Sequence, residues 1–250
     1  MSETIHASRR IIHPITVLDV GFGHHERWSI VDKFGKSATI GTSFKPISNG
    51  GSAVLLTSAE TLDVVSDDAN DDLTGTGAQK IEIQGLDANF TEISETVDLD
   101  GTTPVTTTNS FIRFFRAFVT QVGSATESTN LGELTISAST TTTATLIILA
   151  EEGQSQTAQY TIPANKTGYL EKIFFTSDSA NVIIGQLQVR PFGQGWQTKH
   201  ELVTTNEHVS ADMAGSGGIL EKSDIRWMAK ASTGPSNDAT AGFKVLLRDN

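Results

Sequence analysis

Six histidines come first, because neutral imidazole is both a metal ligand and a general base near neutral pH. His24-His25-Glu26 sets three ligand types side by side, yet adjacent residues of an extended chain point to opposite faces, so one site does not take all three. His200-Glu201 meets the same objection, and His6, His13 and His208 stand alone. Ser66-Asp67-Asp68-Ala69-Asn70-Asp71-Asp72 carries carboxylates suited to calcium, but lacks the glycine and closing glutamate of an EF-hand loop and reads as a solvated loop. No Gly-x-Ser-x-Gly elbow and no kinase or lactamase motif set occurs. Gly21-Phe22-Gly23 and Gly215-Ser216-Gly217-Gly218 lack the strand-to-helix setting of a phosphate loop and read as turns. Of the three tryptophans, Trp196 and Trp227 lie in alternating segments and read as core, whereas Trp28 reads as an interface anchor. The sequence therefore assigns no catalytic residue, no cofactor and no metal site.

The elements around these residues are strands. Ile81 and Ile83 alternate with Lys80, Glu82 and Gln84; Gly85 to Asn89 turns the chain, and Ile93, Val97 and Leu99 continue on one face. That pattern predicts an antiparallel hairpin with one wet face, closed by Asp100-Gly101. Phe111, Ile112, Phe114, Phe115, Phe118 and Val119 fall on both parities, which predicts a strand covered on both sides and central to the first core. The later segments Tyr169 to Phe175, Ile183 to Arg190, Trp196 to Val203, Ile225 to Ala231 and Phe243 to Leu247 repeat the strand pattern, and no window forms an amphipathic helix of ordinary length. The fold class expected is all-β: two antiparallel β-sandwich or jelly-roll-like domains preceded by an extended N-terminal arm.

The divisions expected are an arm over 1–45, a sandwich over 46–150 and a second over 151–250, with the polar stretch Glu151 to Gln156 as the boundary. The arm shows no sustained periodicity and carries isolated apolar anchors, Trp28, Val31 and Phe34, suited to docking on another surface. A strand pair belonging to the first domain is the alternative reading of the same residues. The chain has 250 residues, no cysteine and a net charge of -11. Residues 46–150 hold fourteen Asp and Glu against three Lys and Arg, so the acidity sits in the middle third. An acidic surface repels phosphates, which argues against a nucleic-acid partner there. MSETIHASRR has no long apolar region, and no membrane span or secretory signal is expected.

Several stretches resemble virion structural proteins of tailed bacteriophages, of the marine and cyanobacterial phage type. They are Val31-Asp32-Lys33-Phe34-Gly35-Lys36, Gly75-Thr76-Gly77-Ala78, Gly85 to Phe90, Leu99 to Phe111, Tyr160 to Leu170, Arg190-Pro191-Phe192-Gly193 and Trp196 to His200. Gly101-Thr102-Thr103-Pro104-Val105-Thr106-Thr107-Thr108-Asn109-Ser110-Phe111 is the most specific. The resemblance implies a non-enzymatic particle component, made in the host cytoplasm and assembled in symmetric copies on the major capsid protein or on neck or tail proteins. Capsid decoration or cement is the role expected first, and a neck or tail component is the alternative. A carbohydrate- or receptor-binding module and a hydrolase on a β scaffold are the rivals from other classes.

Overall fold

The computed structural model describes residues 17–50, 55–126, 128–213, 217–235 and 237–250. His6, His13, Gly215, Ser216 and the first sixteen residues of the expected arm lie outside these. A short helix, α1 (Val17–Gly21), leads into a thirteen-residue strand, β1 (Trp28–Ile40), and a two-residue strand, β2 (Lys45–Pro46). The middle of the chain forms β3 (Leu62–Ser66), β4 (Ala78–Leu86), β5 (Glu92–Asp98), β6 (Val105–Thr106), β7 (Arg113–Val122), β8 (Leu134–Ala138) and β9 (Thr145–Ile148). The last third forms β10 (Gln159–Thr161), β11 (Lys166–Ser177), β12 (Ile183–Arg190), β13 (Gln197–Thr204), β14 (Glu207–Asp212), β15 (Asp224–Ala231) and β16 (Asn237–Asp249). Every strand pair is antiparallel, and the fold is an all-β sandwich architecture.

The strand order defines two nested bodies. One sheet runs β1-β16-β11-β14; the sheet facing it runs β10-β15-β12-β13, with β2 on the same side of β15 as β10. Taken as one interrupted strand, β2 and β10 complete the two four-stranded sheets of a double Greek-key jelly roll. The interruption holds the second body, in which β6-β3-β8-β9 pack on β5-β4-β7. The sequence places the sandwiches one after the other, whereas the structure inserts one into a strand of the other. Two fragments of two and three residues give no hydrophobic period by which they could be read as one strand.

The N-terminal stretch differs in the same way. Over Trp28–Ile40 the expected arm is an edge strand of the jelly roll, paired with β16 from Trp28↔Arg248 to Ser37↔Ala239. Its inward positions are Lys33, Gly35 and Ser37, all buried. None of these three is a large apolar residue, and Val31 before them and Ile40 beyond a register shift are too far apart to mark an alternation. Gly35 is required there, since a Cβ would stand 2.3 Å from the Ala158 nitrogen and 2.4 Å from the Ile47 oxygen.

Each body has its own core. In the jelly roll Trp227 stacks on Phe175 at 5.6 Å between ring centres, its indole nitrogen donates to the Gly242 oxygen at 3.1 Å, and Ile173, Leu187, Phe243 and Val245 surround the pair. In the inserted sandwich Leu62, Ile81, Ile83, Phe114, Leu134, Ile136 and Ile148 are fully buried. β7 and the two residues before it serve both cores. Phe111 and Phe114 enter the core of the insert, while Ile112 and Phe115 enter that of the jelly roll. The strand is thus covered on both faces as its sequence predicts, although β4 and not β7 is the middle strand of its sheet.

Two buried carboxylates tie the loops to these cores. Asp71, with no exposed surface, accepts from the Ala78 and Leu131 amides through Oδ1 and from the Ser66 hydroxyl and the Gly132 amide through Oδ2. The acidic run is therefore a hydrogen-bonded loop that closes the insert. Asp224, 2 % exposed, accepts from Arg113 Nε at 2.8 Å and Thr161 Oγ1 at 2.7 Å, and from Arg190 Nη2 at 2.6 Å. Arg113 belongs to the insert, so this cluster joins the two bodies; Asp224→Ala leaves two guanidinium groups without their shared anion. We expect a loss of about 3–5 kcal/mol in urea unfolding. A variant as stable as the parent chain would contradict this role.

Candidate interaction surface

Among the described residues the histidines do not converge. His24 and His25 lie on the turn after α1, His24 Nδ1 being 3.8 Å from the Asp19 carboxylate, while His200 and His208 stand on different strands, β13 and β14. Among the described residues no three His, Asp or Glu side chains form a group able to hold a metal ion. Trp196 lies under Arg226, whose guanidinium carbon is 3.8 Å from the ring centre. Burial, and then the neighbouring Arg190, bring the Arg226 pKa down to about 10 against the opposing pull of Asp224.

The expected anchors divide between two faces of β1. Trp28 and Phe34 share the outer face by the two-residue period, and Val31, paired with Val245, packs against the jelly-roll core. Register across β1, β16 and β11 builds that outer face in rows. Ile30, Leu246 and Tyr169 form one apolar row, beside which Trp28 lies 5.6 Å from the Tyr169 ring. Asp32, Lys244, Lys172 and Asp212 form the next, with ion pairs of 3.7 Å and 3.8 Å at its two ends. Phe34, Gly242 and Phe174 form the third. Gly242 lets the Phe174 ring lie across the backbone, because a Cβ there would stand 2.4 Å from Phe174 Cε1. Phe34 is 39 % exposed, and Leu18 and Phe22 at α1 are more exposed still. The face therefore offers aromatic patches separated by a charged row, bounded by an edge strand and preceded by exposed apolar side chains. Tyr169, Phe174 and Leu246 come from strands that lie far beyond β1 in the chain, so only the register reveals them as its neighbours.

The free edge of β1 borders a cleft against the insert. It has a volume of about 390 Å³ and is lined by Val31, Lys33, Glu92, Phe115, Arg116 and Tyr160, among others. Lys33 is 6 % exposed, and its ammonium donates to the Phe115 carbonyl and lies 5.4 Å from the Phe115 ring centre. Burial, and then the Arg116 charge, push its pKa down to about 7. The Tyr160 hydroxyl is held above its ordinary range by burial first and by Glu92 second.

No family model matches the chain, and no curated protein matches it. Among solved structures, that of infectious bursal disease virus, Gt strain, aligns with 90 % of this chain and 73 % of that chain at 10 % identity, with a TM-score of 0.21. The Gx strain structure aligns with 89 % and 72 % at 9 % identity and a TM-score of 0.19. T=1 particles derived from infectious bursal virus align with 88 % and 69 % at 6 % identity and a TM-score of 0.19. Likeness at this level leaves the function to be argued from the chain itself.

The buried lysine makes stability depend on pH. Its folded pKa lies below its unfolded value, so between pH 7 and 10.5 the unfolded chain binds more protons and stability rises with pH. The charged and titratable groups around it are Asp32 on its own strand, Glu92 on β5, Arg116 on β7 and Tyr160 on β10. We expect urea unfolding to show stability rising between pH 7 and 9.5, toward a full gain of up to about 5 kcal/mol. Lys33→Met flattens that rise and is the more stable chain at pH 7. Identical pH slopes in the two proteins would refute the assignment.

Proposed function

We propose that this chain is a virion structural protein of a tailed bacteriophage, a capsid decoration or cement protein held to the particle through the outer face of the β1-β16-β11-β14 sheet. The observation that carries the reading is that face, with Phe34, Phe174, Tyr169, Trp28 and Leu246 arranged in register beside an edge strand. An edge strand presents unpaired backbone groups to a neighbour, and aromatic side chains supply contact area at low entropic cost. Double-sheet jelly rolls recur in viral capsid domains, which agrees with the reading by fold, while the argument rests on the surface. The tailed-phage family is proposed from the sequence stretches that resemble it. On this reading the protein is non-enzymatic, forms a symmetric homo-oligomer and contacts the major capsid protein; Trp28 and Phe34 serve as anchors, and Val31 holds their strand to the core.

A neck or tail component is the alternative within the same class, and copy number separates the two. Quantitative mass spectrometry of purified particles is expected to give a count comparable with the major capsid protein. A small multiple of the tail symmetry would move the protein to the neck or tail, and absence from clean particles would overturn the virion reading. Phe34→Asp places a charge among the aromatic side chains of that face without touching either core. Occupancy on particles should fall at least tenfold while thermal unfolding stays within a few degrees of the parent. Unchanged occupancy would remove the outer face as the attachment surface.

A further inference from the structure

The cleft between β1 and the insert holds polar groups that the fold leaves unused. Tyr160 is 2 % exposed, with its ring 4.7 Å from that of Phe115; its hydroxyl lines the cleft near the Glu92 carboxylate and makes no hydrogen bond of regular geometry within the protein. A buried hydroxyl without a well-formed hydrogen bond is destabilising, and a ligand group that supplies the missing partner relieves that cost. Lys33 spends one of its three donors on the Phe115 carbonyl. Arg116 at the rim rests over the Phe118 ring and has no carboxylate partner among the described residues. The two carboxylates that line the cleft are engaged elsewhere, Asp32 with Lys244 at 3.7 Å and Glu92 with Lys166 at 3.6 Å. The Arg116 guanidinium and the Lys33 amine thus face the space without anions of their own, beside the hydroxyls of Tyr160 and Ser94 and the Gln84 amide.

We infer that this cleft binds a small hydroxylated carboxylate of acidic-sugar size, its carboxylate between Lys33 and Arg116 and its hydroxyls toward Tyr160, Ser94 and Gln84. A guanidinium with a nearby ammonium suits a planar carboxylate. Beside the two carboxylates already paired with Lys244 and Lys166, the remaining polar lining groups are the neutral donors and acceptors of Gln84, Ser94 and Tyr160, which match hydroxyls. A volume of about 390 Å³ admits one such ring and falls in the range of small-molecule pockets. The bound molecule touches both bodies, since Lys33 and Tyr160 belong to the jelly roll and Arg116 and Ser94 to the insert. This site is independent of the particle reading.

Titration calorimetry of the full chain with glucuronate tests it, with glucose, acetate and inorganic phosphate as comparators. One saturable glucuronate site is expected, with glucose and acetate each at least tenfold weaker. Arg116→Gln and Tyr160→Phe should each weaken glucuronate at least tenfold. Tyr160→Phe removes only the hydroxyl and keeps the ring contact with Phe115, so a thermal unfolding midpoint at or above the parent's shows that the loss is one of binding. No saturable glucuronate binding overturns the proposal, as do variants that bind like the parent. Phosphate binding more tightly than glucuronate would also overturn it, by assigning the cleft to a free inorganic anion.

Discussion

Asp224 is the group through which the two halves of this molecule are held in one arrangement. Its carboxylate sits at the start of β15, buried, and is shared by Arg113 from the insert and Arg190 from the neighbouring strand β12. Arg113 also donates to the Leu56 and Ile112 carbonyls, so the guanidinium closes the loop entering the insert at the same time as it reaches across. An ion cluster of this kind is no great source of net stability, because desolvation offsets most of the attraction. What it supplies is geometry: several directional contacts that only one docking satisfies. The apolar contacts of Ile112 and Phe115 with the jelly-roll core are strong but far less selective about angle.

How much of this could be read from the sequence depended on whether apolar side chains marked the inward positions. Ile81, Ile83, Ile93, Val97 and Leu99 did, and the β4–β5 hairpin follows their pattern. Phe111 to Phe115 signalled two covered faces, though not that the covers belong to different bodies. β1 gave little such sign, because Lys33, Gly35 and Ser37 follow Val31 along its inner face and its partner β16 lies about two hundred residues further along the chain. The nesting was hidden for a related reason: β2 and β10 make one edge of a sheet from five residues separated by the whole insert.

The candidate surface was legible in part. Trp28 and Phe34 stood out as apolar residues in a polar setting and share one face of β1, while Val31, chosen with them, points the other way. Tyr169, Phe174 and Leu246 complete that face only through strand register. The acidic run shows the opposite case, in which composition suggested a ligand site or a solvated loop. Asp71 instead turns inward and binds four protein donors, a role set by the backbone geometry of the Gly75–Ala78 and Leu131–Gly132 segments.

The nested arrangement also bears on the order in which the chain can fold. Ile47 and Ala158 meet where the insert leaves and rejoins the jelly roll, the Ala158 amide donating to the Ile47 oxygen at 3.0 Å. Closing an unstructured loop of about 110 residues between them would cost about 4 kcal/mol in chain entropy. If the insert forms first, its own core brings those ends together, and the jelly roll then closes around a joint already made. The pairing of β16 with β1 joins segments about two hundred residues apart, so its closure entropy falls most when everything between them is already folded.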